Sequence, residues 1–249
     1  MPEASEIRTI VAMGGGGFSM EPDNPLLDGY ILELARAAAI RAGRDGARPR
    51  VCFLPTASGD AEGYIANFHA AFDDVAEAGH LALFSRTVAD IEGFLTEHDA
   101  FYVGGGNTEN MLAIWRIHDV DRALRTAWER GVVMAGLSAG SLCWFESGTT
   151  DSYGPELATL DGGLGFLAGS HCPHYDGEPQ RRPLYHRLIG EGKLPPGFAA
   201  DDGAALVFRG MTLSECVSSR PAAGCYLVAR RPDGRVTERR LPTHYLGGA

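Results

Sequence analysis

The sequence predicts an α/β protein built as three layers, α/β/α, in which a mostly parallel sheet carries helices on both faces and antiparallel strands are added at the C-terminal end. Three observations predict it. The first half alternates short apolar runs with longer amphipathic ones, the pattern of buried strands crossed by helices. Glycine-rich or hydroxyl-rich loops follow those apolar runs directly. From residue 204 onward, short apolar runs are separated by Arg-Gly and Pro-Asp-Gly turn signals, which read as antiparallel strands.

Taken in order, the apolar runs predict strands over 8–13, 50–55, 82–85, 100–104 and 132–137, then 204–208, 211–217, 224–229 and 236–241. Helical periodicity falls over 26–42 and 61–78, with Ile31, Leu32, Leu34, Ala35 and Ala38 on one face of the first. With 249 residues, 45% of them hydrophobic, the chain is expected to form one domain over 1–249. A net charge of -10 with scattered Lys and Arg gives no footprint for nucleic acid or for an anionic membrane surface. The expected partners are short peptides or small molecules, and a homodimer is compatible with the composition. The N-terminal residues lack a basic region followed by an apolar core, and no run of eighteen apolar residues occurs, so a cytoplasmic location is expected. Five cysteines without paired spacing read as reduced, packed thiols.

In open α/β sheets, ligands bind beyond the carboxyl ends of the strands. The loops after the predicted strands therefore hold the candidate chemistry: 14–19, 56–60, 104–108 and 137–141. The last belongs to Val-Val-Met-Ala-Gly-Leu-Ser-Ala-Gly (132–140), an apolar strand ending in Gly-x-Ser-x-Gly and followed by a helix-compatible stretch. This is a nucleophile elbow in the expected context, with Ser138 as nucleophile. A tetrahedral oxyanion needs converging donors, and the backbone amides of the glycine-rich loop 104–108, together with that of Ala139 after the nucleophile, fit that need. Asn107 and Thr108 close the same loop and are candidates to contact substrate. The missing Gly-Lys-Ser/Thr ending argues against a nucleotide P-loop.

Serine needs a base, and eight histidines compete. His69, His80, His98, His118 and His244 fall on predicted helices or near the C-terminus. His171, His174 and His186 remain, and His174 is favoured over His171 because Pro173 restricts the backbone before it and Tyr175-Asp176-Gly177 makes a loop able to hold an imidazole. Among the acids after the elbow, Asp151 in a hydroxyl-rich turn is favoured over Glu146, placed on the helix after the nucleophile, and over Glu156 and Asp161 as the group that orients the base. A zinc site at His171, Cys172, His174 and Asp176 is disfavoured because no second ligand pair stands at a recognised distance, so no metal or cofactor is expected. Asp201-Asp202-Gly203 reads first as a turn cap, with binding of a substrate amino group as the alternative.

At Val-Gly-Gly-Gly-Asn-Thr (103–108), Gly-Leu-Ser-Ala-Gly (136–140), Thr-Thr-Asp (149–151) and Pro-His-Tyr (173–175), the chain resembles the peptidase E family of serine peptidases, from about residue 10 to near 217. The resemblance implies a fold related to class I glutamine amidotransferases and a Ser138, His174, Asp151 triad. It also implies an oxyanion hole of Gly105 or Gly106 with Ala139, and dipeptidase chemistry on substrates with an N-terminal aspartate. One departure stands out. Where the aspartyl dipeptidases carry an arginine beyond the histidine to read the acidic side chain, this chain has Gln180, with Arg181 and Arg182 adjacent. Serine rather than cysteine at the elbow argues against glutamine-dependent ammonia transfer. The alternatives are a cyanophycinase-like or other amide hydrolase, and a non-catalytic relative that binds a small ligand in the same crevice.

Overall fold

The computed structural model describes residues 8–248, so the reading of the N-terminal residues 1–7 lies outside it. In chain order the elements begin with β1 (Thr9–Met13), α1 (Leu26–Arg41), β2 (Arg50–Leu54), α2 (Glu62–Phe72), β3 (Glu77–His80), α3 (Ile91–Thr96), β4 (Ala100–Val103), α4 (Thr108–Ile117), α5 (Val120–Glu129) and β5 (Val133–Leu137). They continue with α6 (Ala139–Leu142), β6 (Phe145–Thr150), β7 (Ala158–Asp161), β8 (Leu167–Cys172), α7 (Arg181–Gly190), β9 (Gly197–Ala200) and β10 (Ala204–Arg209). The last are β11 (Thr212–Ser218), β12 (Cys225–Arg230), β13 (Val236–Arg240) and β14 (His244–Tyr245).

An eight-stranded sheet of order β14-β11-β10-β1-β5-β4-β2-β3 forms the centre. Strands β1, β5, β4, β2 and β3 run parallel, and β10 and β11 extend the sheet antiparallel. The five residues of β1 are all buried, as a strand covered on both faces requires. Its side chains alternate: Val11 and Met13 pack with Leu27, Ile31 and Phe72 of α1 and α2, while Ile10 and Ala12 pack with Trp115, Leu124 and Trp128 of α4 and α5. The expected α/β layering is thus present.

Beyond it lies a second sheet, of order β13-β12-β9-β8-β6-β7, packed through Phe145, Phe166 and Leu167 against the same side as α4 and α5. Its central strands β6, β8 and β9 are parallel, which the sequence reading did not anticipate. The C-terminal strands divide accordingly, with β10 and β11 in the large sheet and the β12–β13 hairpin in the small one. Helix α7 covers the far side of the small sheet with Tyr185, Leu188 and Ile189.

Two local expectations are corrected. The helix expected to reach 78 ends at Phe72, and residues 77–80, rather than 82–85, pair with β2. The amides of Leu83 and Phe84 both donate to Asp60 Oδ2, at 2.6 and 2.8 Å, so a side chain takes the donors that a strand would have used. The helix after Ser138 has only four residues, which puts Glu146 on β6, its Oε2 accepting the Gly169 N–H at 2.8 Å. All five cysteines are buried free thiols, and among the described residues no helix is long and apolar enough to cross a membrane.

Candidate active site

Five strand ends meet at one edge of the molecule, those of β1, β4 and β5 from the large sheet and of β8 and β9 from the small one. Ser138 follows β5 at φ 54°, ψ -117°, a conformation that non-glycine residues avoid and that marks a strained turn. The turn is closed by small residues: a Cβ on Gly136 would overlap the Gly140 carbonyl oxygen, and one on Gly140 the Val103 oxygen. The Ser138 amide donates to Met13 O at 3.3 Å, and its carbonyl accepts from Ser141 and Leu142 at 3.0 and 2.9 Å, which starts α6.

His174 follows β8, also at positive φ (53°), and its amide donates to Gly14 O at 3.2 Å. Its Nδ1 lies 2.6 Å from Asp202 Oδ1. A carboxylate there fixes the tautomer with the proton on Nδ1 and leaves Nε2 as the basic nitrogen. Asp202 is itself held: its amide donates to Asp176 Oδ1 at 2.8 Å, and it bridges Gly15 at the end of β1. Burial pushes the Asp202 carboxyl up, but the hydrogen bond and charge of His174, with Arg220 and Arg181, outweigh it and hold the group below its ordinary value.

The expectation that Asp151 orients His174 is therefore corrected. Asp151 is exposed on the turn after β6, and the carboxylate on the imidazole comes from a turn 28 residues beyond His174. Glu146 faces the Gly169 amide, and Glu156 is exposed in the same loop as Asp151.

The remaining histidine candidates have other partners. His171 is fully buried, stacked on Phe145 at 4.7 Å, with Nδ1 3.1 Å from Phe198 O. Burial drives its pKa down to about 3, so it stays neutral. The Ser141 hydroxyl lies 3.0 Å from His171 Nε2 and 2.8 Å from Ser138 O, sharing one proton between them; His171 supports the elbow from below. His186 Nε2 faces Glu238 and the Tyr175 hydroxyl, each at 2.9 Å. The Cys172 thiol takes the Thr149 hydroxyl, so His171, Cys172 and His174 face three different partners. Asp201 accepts from Gly224 N and Tyr226 Oη, tying β9 to β12, and burial with the nearby Asp176 raises its pKa to about 6.

In the loop after β4 the Gly104 amide donates to Leu54 O at 3.1 Å, that of Gly105 to Tyr64 Oη at 3.2 Å, and that of Asn107 to Ala57 O at 2.8 Å. The amides of Gly106 and Ala139 have no acceptor among the described residues. Of the three expected oxyanion donors, Gly105 is thus already engaged, and Gly106 and Ala139 are open. Asn107 is a helix cap: its Oδ1 accepts from Asn110 N, and its Nδ2 donates to Ser152 O, both at 2.9 Å. Thr108 is buried, its amide on Ser152 Oγ at 3.0 Å. Both residues thus help to build the loop.

The arginines beside Gln180 are also engaged. Arg181 is 3% exposed and bonds Glu178 and Thr149 O. Arg182 pairs with Glu238 and stacks over Tyr175 and Tyr226. Gln180 opens α7 and lines a cavity of about 890 Å³ with Asp151, Glu156, Glu178 and Arg187. Ser152 ties the turn that carries Asp151 to the loop after β4, its Oγ accepting from the Thr108 and Glu109 amides and its carbonyl from Asn107 Nδ2, while Glu178 N donates to His174 O.

A half-buried serine on a strained elbow, an imidazole backed by a carboxylate and two open amides define a serine hydrolase site. The profile described as Peptidase family S51 matches residues 10–216, and the chain belongs to that family of serine peptidases. It is 51% identical over 242 residues to the uncharacterized peptidase YgaJ of Bacillus subtilis (strain 168), covering 97% of this chain and all of that protein. Among solved structures it is similar in fold to a peptidase from an acI-B1 actinobacterium (TM-score 0.65, 17% identity, 94% of each chain). It is also similar in fold to a putative peptidase E protein from Listeria monocytogenes EGD-e (TM-score 0.54, 16% identity, 94% of this chain and 99% of that one).

Proposed function

We propose that the protein is a serine-type exopeptidase that cleaves short peptides, dipeptides among them, through an acyl-enzyme. Ser138 Oγ attacks the scissile carbonyl carbon while His174 Nε2 takes its proton. The oxyanion is held by the Gly106 and Ala139 amides. His174 then returns the proton to the leaving amine, and water releases the acyl group by the same steps in reverse. Asp202, in place of Asp151, holds the imidazole and stabilises its charged form. The observation that carries this reading is the 2.6 Å contact between His174 Nδ1 and Asp202 on an imidazole seated beside the elbow.

The substrate reading departs from strict N-terminal aspartate. Arg181 and Arg182 are held by internal partners, Arg181 by Glu178 itself, and the cavity beside Gln180 carries the carboxylates of Asp151 and Glu156 with Arg187. Neutral or cationic side chains suit that lining better than acidic ones. Buried free thiols favour a reducing, cytoplasmic setting.

The test is turnover on a panel of Asp-x, Glu-x, Lys-x and Ala-x dipeptides with the wild type and Ser138→Ala. The variant is expected to lose on the order of a millionfold in kcat. Wild-type turnover by Ser138→Ala would remove the acyl-enzyme, and Asp-x preferred over every other dipeptide would remove the substrate reading.

A further inference from the structure

An oxyanion donor works only if its N–H is aimed before the charge forms, so whatever fixes the 104–107 backbone sets the height of the barrier. Among those four amides the acceptors for Gly104 and Asn107 are main-chain carbonyls, while the acceptor for Gly105 is a side chain, the Tyr64 hydroxyl at 3.2 Å. Tyr64 stands in the first turn of α2, its ring against Phe53 at 4.9 Å and Phe18 at 5.6 Å. The loop rests on that ring: a Cβ on Gly104 would lie 2.9 Å from Tyr64 Cε1. On the opposite side, a Cβ on Gly105 would lie 3.4 Å from Ser138 Cβ. Gly105 is therefore sandwiched between Tyr64 and the nucleophile, and Gly106, at φ 138°, is the next amide along.

We propose that Tyr64 is a positioning residue for the reaction: by taking the Gly105 N–H it turns that peptide away from the crevice and holds the Gly106 N–H toward the carbonyl attacked by Ser138. The inference rests on the acyl-transfer reading above. Burial keeps the phenol protonated by raising its pKa, so its oxygen accepts from Gly105 as a neutral hydroxyl throughout the working range.

Tyr64→Phe removes the acceptor and keeps the ring that packs on Phe18 and Phe53. Deleting an oxyanion donor outright costs about 100- to 1000-fold in kcat, so loosening one is expected to cost roughly 10- to 100-fold, with KM nearly unchanged. An aminoacyl boronic acid, whose tetrahedral adduct on Ser138 occupies the same hole, should lose affinity by a similar factor. Tyr102→Phe removes a neighbouring hydroxyl that bonds Asp28 rather than the loop, and kcat should stay at the wild-type value. With Ser138→Ala inactive, wild-type kcat and boronate affinity in Tyr64→Phe would overturn the inference. So would a change in KM alone, or an equal kcat loss in Tyr102→Phe. An active Ser138→Ala would instead overturn the acyl-transfer reading beneath it.

Discussion

Ser138 and His174 hang from consecutive carbonyls of one strand end: the Ser138 amide donates to Met13 O at 3.3 Å and the His174 amide to Gly14 O at 3.2 Å. Nucleophile and base are thereby anchored to the two consecutive peptide units that end β1 and begin the glycine loop, although one residue leaves the large sheet and the other the small one. The glycine loop after β1 is part of the catalytic frame.

Replacing Asp202 by Asn keeps the side-chain shape but presents an amide to His174 Nδ1 and removes the charge that balances the imidazolium. A kcat loss of about ten-thousandfold is expected, as for the equivalent change in a serine protease triad. Asp151→Asn, on its exposed turn, should stay within a few fold. Steady-state kinetics of both variants on one dipeptide check this, and the reverse order would return the orienting role to Asp151.

Gly15 has no room for a side chain, because a Cβ there would overlap Asp202 Oδ1 and come within 3.0 Å of His174 Cε1. Gly15→Ala should therefore abolish most turnover by displacing the carboxylate, while leaving the circular dichroism spectrum native. Gly29, inside α1, has nothing within 4 Å of its Cβ position; Gly29→Ala should stabilise the protein by about 0.5–1 kcal/mol and leave kcat alone. Thermal melts and kinetics on the two variants separate the effects.

Asp28 predicts a pH dependence of stability. Burial, only partly opposed by the hydrogen bond from Tyr102, raises its pKa from 3.8 to about 7. Between those values the folded protein keeps a proton that the unfolded chain has lost. Stability therefore falls as pH rises through this window, by roughly 1.4 kcal/mol per pH unit at most, and levels off above it. Asp28→Asn keeps an oxygen for the Tyr102 hydroxyl and removes the titration. Its Tm should exceed the wild-type value at pH 8, with the gain vanishing toward pH 4; an equal offset at both pH values would show that Asp28 does not titrate in this range.

Arg182 is the exposed arginine nearest the position where the aspartyl dipeptidases are expected to read an acidic side chain, but it stacks on Tyr175 and Tyr226 and pairs with Glu238. Arg182→Ala should leave the ratio of Asp-x to Ala-x turnover within about twofold, since an exposed pair of this kind contributes at most about 1 kcal/mol. A collapse of Asp-x cleavage alone would show that the guanidinium reaches substrate.

The elbow, the glycine loop and the parallel core were legible in the sequence because each is local: an apolar run with its turn carries its own signal. Asp202 was not. It sits 28 residues beyond His174, and the two meet because β8 and β9 are adjacent parallel strands, with Cys172 opposite Ala199, so the residues that follow each strand become neighbours. Neither Leu-Ala-Gly-Ser-His-Cys nor Gly-Phe-Ala-Ala has the periodicity of a strand, so the small sheet left no pattern to follow. The usable signal was positional, since the Asp201-Asp202 pair follows a short apolar run much as Ser138 follows β5. Tyr64 was hidden for a different reason: its hydroxyl meets Gly105 only once α2 has packed beside β2.

The joint between the sheets is aromatic: Phe208 of β10 meets Phe145 of β6 at 5.8 Å and Phe198 of β9 at 5.6 Å. Nucleophile and oxyanion loop stand on one side of that joint, base and carboxylate on the other. Turnover is therefore a gauge of alignment. A substitution at Phe208 that let the halves slide by an ångström would silence the protein while each half kept its own hydrogen-bonded ladder, so inactivation would come at a lower temperature than melting.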